Sequence, residues 1–211
     1  MPKKYIFSLL IFLSFVFAGD TSLGASVHSA KDKFFIMGET FIKKVHPELY
    51  NTNSGRVYVI LTSVWNHSRD YNVNPYVVLS LIWYETEFIN KGGAHGEEGY
   101  MQVKPDTAIY VHNVYDEFPP RGLKHNKMLE WDVSYNIKVG IMLLAYLYEV
   151  FKDGELALQA YNTGKAEIDY LMAINGRNAK ESKMEYKLKT RNSYGVVILD
   201  MARSLEEMLD E

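Results

Sequence analysis

The sequence predicts an all-α fold, and three observations support this prediction. Apolar residues recur at helical spacing along most of the chain, no segment shows a convincing strand-type alternation, and Asn, Pro and Gly stand where helices would begin or end. The 211 residues are 47% hydrophobic and 14% aromatic, a composition typical of a globular protein with a substantial core. The formal net charge of −3 argues against a general nucleic-acid-binding protein.

The N-terminus is predicted to be a signal peptide covering residues 1–25. A pair of lysines precedes the apolar run 5–18, which is shorter than a typical membrane-spanning helix. Small residues permit cleavage after Ala18 or after Ala25. The protein is therefore expected to be periplasmic or secreted, and an N-terminal helix that stays uncleaved as an anchor is the alternative.

Residues 26–69 are predicted to form an N-terminal helical segment that braces the rest of the chain. The run 29–45 has apolar residues at helical spacing. The run 54–71 is rich in β-branched residues, so its pattern fits a helix or a strand, but its length favours a helix.

Residues 70–211 are predicted to form the main domain. Asn74 and Pro75 are a clear helix start, because the Asn side chain can cap the first turn and Pro at the first helical position needs no N–H partner. That helix is expected to run to about Phe88, and a glycine-rich loop over 90–99 follows it. The further expected elements are a short helix from about Pro105, a loop over 117–126, a long helix from 132 that stops at Gly154, a short helix that stops at Gly164, and two more helical segments, the last at about 193–209.

A carboxylate at Glu85 interrupts the most apolar of these helices. On a continuous helix its neighbours one turn away are all apolar, namely Leu81, Ile82, Phe88 and Ile89. Glu87 has more polar neighbours and is expected to face solvent. A carboxylate in apolar surroundings is costly unless it is paired or protonated, so the pKa of Glu85 should be raised, which suits a general acid. A core Glu paired with an Arg or Lys is the alternative that these neighbours leave open.

Five short motifs occur in order over about residues 70–170. They are Glu85-Thr86-Glu87-Phe88, Gly99-Tyr100-Met101-Gln102, Pro105-Asp106-Thr107-Ala108, Asn136-Ile137-Lys138-Val139-Gly140 and Ala160-Tyr161-Asn162-Thr163-Gly164. Each motif alone is weak, but five in order and at approximate spacing make a strong signal. With them the chain resembles the soluble lytic transglycosylase family, whose catalytic domain is lysozyme-like and acts on peptidoglycan.

The resemblance implies a mechanism with a single carboxylate. Glu85 would protonate the glycosidic oxygen between N-acetylmuramic acid and N-acetylglucosamine, and the substrate's N-acetyl group would stabilise the cationic intermediate. The sugar's own C6 hydroxyl would then attack, with the same Glu as base, to give a 1,6-anhydromuramoyl end. No cofactor is expected, and no metal either, since the six His show no metal-ligand spacing.

The resemblance also implies substrate-binding roles for Met101, Gln102, Tyr161 and Asn162. Tyr161 would lie near Glu85 and the sugar, while Met101 and Gln102 would line the cleft. Ordinary packing is the alternative for Met101 and Tyr161, and capping of a turn is the alternative for Asn162.

Several residues depart from the family pattern near the expected site. The segment that usually holds a Ser, which helps to position the catalytic carboxylate, reads Gly93-Ala94-His95-Gly96-Glu97. Thr86 replaces a Ser and keeps a hydroxyl. Tyr100 replaces a Leu and is expected to add bulk and a polar tip beside the cleft. Within the pattern, Asn136 is expected to cap or order the long helix.

Two other functions remain open. One is a lysozyme-like hydrolase in which Glu87, Glu97, Glu98 or Asp106 places a water molecule, and the other is a non-catalytic peptidoglycan-binding or scaffold protein on the same fold. Peptidoglycan glycan strands are the expected partner in every case. The sequence leaves open exo- against endo-cleavage, the physiological role, the oligomeric state and a partner in the machinery of the cell envelope.

Overall fold

The computed structural model describes residues 22–118, 123–164 and 194–207. Most of the predicted signal peptide lies outside these residues, and so does the helical segment predicted between Gly164 and residue 193. The chain divides into two compact units, Met1–Lys33 and Phe34–Glu211. In the first unit the described residues are helical, and residues 30–33 are exposed. The site lies in the second unit.

The described residues form an all-α structure, as predicted. The helices are α1 (Ser22–Val45), α2 (Pro47–Thr52), α3 (Ser54–Asp70), α4 (Pro75–Thr86), α5 (Pro105–Val114), α6 (Leu123–Trp131), α7 (Val133–Phe151), α8 (Gly154–Thr163) and α9 (Tyr194–Glu207). Isolated antiparallel bridges join Glu98 to Gly92 and to Val103 in the loop after α4. In the part of the chain that the structure describes, no helix is long and apolar enough to cross a membrane.

Helix α4 is the central helix of the second unit. Every residue from Val77 to Ile82 is buried, which is the pattern of a helix surrounded on all sides. Asn74 starts it as predicted, since its side chain accepts a hydrogen bond from Tyr76 N at 2.8 Å and Pro75 occupies the first turn. Helices α3 and α9 pack against it, α7 packs against α3, and all four helices contribute to one apolar core. Glu85 therefore lies in the last turn of a helix whose middle is buried and excluded from water.

The core joins residues on both sides of the predicted boundary at residue 70. Phe34 and Ile42 from α1 and Ile60 from α3 are fully buried in the same cluster as Leu79 of α4 and Ile137 of α7. The helix predicted over 54–71 from its length is α3. Its β-branched residues pack into this core. The burial of these residues stabilises a helix in a segment whose sequence pattern alone fitted either a helix or a strand.

Helix α4 ends two residues earlier than predicted. Glu87 and Phe88 both have left-handed backbone conformations, with φ of 54° and 60°. Phe88 nevertheless stays buried, because its ring turns back and packs against those of Phe41 and Trp83, with centroids 5.9 and 6.1 Å away. This contact helps to offset the backbone cost of the turn.

Two other differences from the prediction concern α7 and α6. Helix α7 ends at Phe151, where Lys152 adopts a left-handed conformation and Asp153 then caps α8 by accepting a hydrogen bond from Leu156 N at 3.1 Å. Gly154, predicted to stop the long helix, is the first residue of the next one. Helix α6 was not predicted: it begins inside the predicted loop 117–126 and packs on α7, with Leu129 fully buried.

Gly140 brings α7 close to the loop that follows α4. A Cβ built on Gly140 would lie 2.6 Å from both Cβ and Cε of Met101, closer than real side chains approach. The motif glycine is therefore explained by packing: Met101 occupies the space that a larger residue at position 140 would need.

We predict that Gly140→Ala lowers the free energy of unfolding. Overpacking of this kind costs about 1–3 kcal/mol, more than the roughly 1 kcal/mol that Ala gains over Gly in a helix. Urea unfolding followed by circular dichroism measures the change. Gly154→Ala is the matched control, since its Cβ would have its nearest neighbours at 3.6 Å, ordinary contact. Equal effects of the two variants would contradict the close packing at Met101.

Candidate active site

Glu85 lines a cavity of about 410 Å³. Its side chain is half-buried in the last turn of α4. The cavity is lined by the loop after α4, the start of α5, one residue of α7 and the end of α8: Glu85, Gly93, Ala94, His95, Glu97, Gln102, Val103, Lys104, Thr107, Leu143, Tyr161, Asn162, Thr163 and Gly164. Three of the four residues predicted to bind substrate therefore line the cavity that contains Glu85.

The carboxyl group of Glu85 has a phenol partner that sequence reasoning missed. The hydroxyl of Tyr194, the first residue of α9, donates a short hydrogen bond to Glu85 Oε1. Tyr194 is buried, and its ring lies edge-on to that of Tyr84 at 4.9 Å. The two bonded residues are 109 positions apart, and no local motif marks Tyr194. Only the fold brings this phenol to the carboxylate.

Helix α9 reaches this position through a close backbone contact. A Cβ on Gly195 would lie 2.4 Å from the carbonyl oxygen of Glu155 in the first turn of α8. The missing side chain lets α9 pack directly against α8, and Tyr194 precedes this contact by one residue. Gly195 is therefore the residue that allows the phenol to reach Glu85.

The environment of Glu85 raises the pKa of its carboxyl group. Burial is the largest cause, and the charge of Glu97 acts in the same direction. The hydrogen bond from Tyr194 and the charge of Lys91 lower the pKa but do not outweigh burial. The C-terminal end of α4 adds partial negative charge near the group, which also disfavours ionisation. Glu85 thus holds its proton to a higher pH than an exposed Glu.

Tyr161 packs between the cavity and the loop after α4. Its hydroxyl donates a hydrogen bond to the carbonyl oxygen of Met101 at 2.7 Å. Burial raises the pKa of Tyr161 well above its usual value, and the nearby charge of Glu85 adds to this. The phenol therefore stays neutral, and it fixes the position of α8 relative to the loop.

Gln102 lines the cavity and also holds the loop together. Its Nε2 donates to the carbonyl oxygens of Lys91 at 2.9 Å and Gly99 at 2.8 Å. Because both amide hydrogens are used inside the loop, Oε1 is the atom with which this side chain would accept a bond from a ligand. Gln102 itself has a left-handed backbone, with φ of 48°.

Met101 does not line the cavity, contrary to its predicted place in the cleft. Its side chain is fully buried and packs against Gly140. The backbone of Met101 is nevertheless central to the site, because its N–H donates to Asn136 Oδ1 at 2.8 Å and its carbonyl accepts from Tyr161. The side chain of Met101 is therefore part of the core, and it is the backbone of Met101 that contributes to the site.

Asn136 does not cap α7, although it was expected to cap or order this helix. Asp132 is the cap, accepting a hydrogen bond from Tyr135 N at 3.0 Å. Asn136, almost fully buried, binds the loop instead: besides Met101 N, its Nδ2 donates to the carbonyl oxygens of Glu98 at 2.8 Å and Leu129 at 3.0 Å.

Thr86 and Tyr100, which both depart from the family pattern, make different contacts. Thr86 keeps a structural hydroxyl: its Oγ1 lies 3.0 Å from Ile82 O and 3.1 Å from Tyr100 O, which ties the end of α4 to the loop. Tyr100 is not beside the cavity as expected. It is buried and lines a separate cavity together with Arg56.

Of the four carboxylates considered as a second catalytic group, Glu97 lines the Glu85 cavity and the other three do not. Burial raises the pKa of Glu97, but hydrogen bonds from its own N–H and from His95 N at 2.9 Å, together with Lys104 Nζ at 3.2 Å, outweigh burial and lower it. Glu97 therefore loses its proton at a lower pH than Glu85 does. Glu87 is exposed, as predicted.

Comparison with known proteins identifies the family. Residues 64–184 match the family model described as the transglycosylase SLT domain. The match covers more than half of the chain, and the protein belongs to this family. Tyr194 lies beyond the matched residues. No curated protein sequence matches the chain.

A solved structure confirms the lysozyme-like, all-α fold. The chain is similar to the lytic transglycosylase Slt of Pseudomonas aeruginosa, determined by X-ray as an inactive mutant with Gln in place of Glu, with a TM-score of 0.53 and 16% sequence identity. The likeness covers 71% of this chain and 24% of that one. The chain thus spans about a quarter of the length of the protein it matches.

We predict that Tyr194→Phe raises the pKa of Glu85 further. The hydrogen bond from the phenol stabilises the charged carboxylate and lowers its pKa. Without this bond, the effect of burial, which raises the pKa, is opposed less strongly. Titration of the Glu85 carboxyl carbon by NMR measures the change.

Tyr161→Phe is the control for this titration, because the Tyr161 hydroxyl donates to Met101 and not to Glu85. It should move the Glu85 pKa less than Tyr194→Phe does. An unchanged pKa in the Tyr194 variant would show that its phenol does not influence the acid.

Proposed function

We propose that the protein is a peptidoglycan lytic transglycosylase that cleaves the β-1,4 bond between N-acetylmuramic acid and N-acetylglucosamine. The observation that supports this most is the state of Glu85: a half-buried carboxyl with a raised pKa, in a cavity of about 410 Å³. A carboxyl group that keeps its proton to a higher pH than an ordinary Glu is better suited to protonate a leaving oxygen. Membership of the transglycosylase SLT family supplies the substrate class.

In the proposed reaction Glu85 acts twice. It first donates its proton to the glycosidic oxygen, and the substrate's N-acetyl group stabilises the cationic sugar. Glu85, now ionised, then accepts the proton of the C6 hydroxyl as that oxygen attacks the anomeric carbon, which closes the 1,6-anhydro ring. Tyr194 donates a hydrogen bond to the ionised form, so it supports Glu85 in the interval between the two proton transfers.

The nucleophile in this scheme belongs to the substrate. It is therefore already held beside the reacting carbon, and no second carboxylate is needed to activate a water molecule. The similar Pseudomonas aeruginosa enzyme is inactive with Gln in place of a Glu, which is consistent with a catalytic role for a Glu side chain in this kind of protein.

Four further residues complete the proposed site. Gln102 would accept a hydrogen bond from a sugar through Oε1, and the exposed Asn162 would contact the sugar from the end of α8. Tyr161 would bound the cavity beside Glu85. For Met101 we propose a contribution through its backbone, since its side chain is buried away from the cavity.

A water-using hydrolase is the second candidate function, and the position of Glu97 favours it. This carboxyl group, whose pKa is lowered, lines the same cavity as Glu85, and a two-carboxylate glycosidase requires two such groups in one site. Both oxygens of Glu97 are already engaged, one by Lys104 and the other by His95 N. We therefore favour a role for Glu97 in holding the loop.

We also propose that the protein acts outside the cytoplasm, where peptidoglycan lies. The predicted signal peptide supports export to the periplasm or the medium, and an uncleaved N-terminal anchor would place the same domain at the membrane surface.

We predict that Glu85→Gln abolishes glycan cleavage while the fold is retained, because the amide matches the shape of the carboxyl group but cannot donate the proton. Release of soluble fragments from purified peptidoglycan measures activity. Glu87→Gln should stay within a few-fold of wild type, since Glu87 is exposed. Glu97→Gln should reduce activity less than Glu85→Gln; an equally deep loss would favour the hydrolase.

We predict that the released fragments end in anhydromuramic acid. Such ends are lighter than hydrolysed ends by one water, about 18 Da, because an intramolecular attack has replaced water. Digestion of intact sacculi followed by mass spectrometry measures this directly. Mainly reducing, hydrated ends would indicate a hydrolase, and binding to sacculi without any fragments would indicate a non-catalytic protein.

A further inference from the structure

A second cavity, of about 360 Å³, is walled by tyrosines and shares no lining residue with the Glu85 cavity. Its three aromatic residues come from three places in the fold: Tyr71 directly follows α3, Tyr115 directly follows α5, and Tyr148 lies on α7. We call it the tyrosine cavity. All three tyrosines are partly buried and pack against the main core, so their positions are set by the fold.

The aromatic walls are held in place before any ligand arrives. The rings of Tyr71 and Tyr115 stand nearly perpendicular, at 75°, with centroids 5.2 Å apart. The Tyr71 hydroxyl donates to Glu117 Oε1 at 2.6 Å, and Lys138 Nζ binds the other oxygen of Glu117 at 2.6 Å. Two ring surfaces at right angles, one of them anchored at its hydroxyl, form a corner that does not have to reorganise on binding.

Two carboxylates lie at the rim of the tyrosine cavity. Asp70 and Glu149 both line it, and their side chains are 65% and 76% exposed. Each has a partner outside the cavity wall: Asp70 lies 3.6 Å from His67 Nδ1, and Glu149 lies 2.5 Å from Lys152 Nζ. Exposed pairs of this kind are worth little, so they leave the carboxylates available to a second cation.

We propose that the tyrosine cavity binds an organic ammonium cation, with its head group among Tyr71, Tyr115 and Tyr148 and its charge balanced by Asp70 and Glu149. The faces of aromatic rings are electronegative and attract a cation within about 6 Å of the ring centre. The rim carboxylates add to this attraction and repel anions. The volume exceeds that of an ammonium head group, so the cavity also accommodates part of the chain that carries it.

An NMR titration with choline tests the proposal. Choline should shift the signals of Asn72 and Ala145, which line the cavity, without shifting those of Gln102 at the Glu85 cavity. Dimethylbutanol, the uncharged carbon isostere of choline, should bind about three- to tenfold more weakly, since it lacks only the charge. Equal affinity for the two would overturn the proposal, as would the absence of binding by every cation tested.

A third probe distinguishes the two kinds of ammonium group. Nα-acetyl-lysine amide presents a primary ammonium, whereas choline presents a quaternary one. Tighter binding of the lysine derivative would assign the cavity to a lysine-type side chain, and tighter binding of choline would assign it to a quaternary head group. Either result supports an ammonium site.

Variants separate charge from ring contacts. Glu149→Gln and Asp70→Asn should each weaken choline binding about two- to fivefold and leave dimethylbutanol unaffected. Asp200→Asn is the matched control, because Asp200 is 62% exposed and pairs with Arg203 three residues on, as Glu149 pairs with Lys152. Tyr115→Leu should weaken choline more than Tyr115→Phe does. Undiminished binding in both rim variants would overturn the proposal.

Glycan cleavage should be the same in the rim variants as in wild type, since neither carboxylate lies at the Glu85 cavity. The proposal of a cation site and the proposal of a catalytic function are therefore tested independently of each other.

Discussion

The amide of Asn136 joins the long helix α7 to the loop behind Glu85, and the rest of the site depends on that junction. Its side chain is 1% exposed and makes three hydrogen bonds, one to each of Met101 N, Glu98 O and Leu129 O. A buried amide left without such partners would cost about 1–3 kcal/mol for each unsatisfied group. The loop is therefore held to the core by the Asn136 side chain, because breaking these buried hydrogen bonds would cost free energy.

The neighbouring motif residues follow from this junction. Gly99 has φ of 73°, and a Cβ there would lie 2.3 Å from Asn136 Nδ2. Gly140, one turn further along α7, makes room for Met101. Met101 in turn offers its carbonyl to Tyr161 at the end of α8. Three sequence motifs thus describe one contact region between a helix, a loop and a second helix.

Much of the fold could be predicted from the sequence, because helical periodicity and the capping pair Asn74–Pro75 are local signals. Boundaries were less accurate where two signals compete. Gly154 looks like a helix stop, but Lys152 takes the left-handed position and Asp153 caps the next helix, so the glycine starts α8. Helix α6 was not predicted, because burial of Leu129, a tertiary effect, stabilises it.

The site was predictable only in part. The order of the motifs placed Glu85, Gln102, Tyr161 and Asn162 at one cavity, but a motif does not say which way a side chain faces, and Met101 and Tyr100 face elsewhere. The pKa of Glu85 is raised by burial as expected, although Ile89, assumed to be an apolar neighbour, is 48% exposed because α4 ends early. Tyr194 had no local signal, since only tertiary packing pairs residues 109 positions apart.

The contact between Gly195 and α8 has a consequence for the order in which the site forms. Tyr194 reaches Glu85 only when α9, the last helix described, has docked on α8. A contact of such long sequence separation forms late, after the loop-closure entropy of the intervening chain has been lost. A chain that is still being synthesised therefore has Glu85 without its phenol partner. Formation of the hydrogen bond between Tyr194 and Glu85 is thus coupled to the docking of α9.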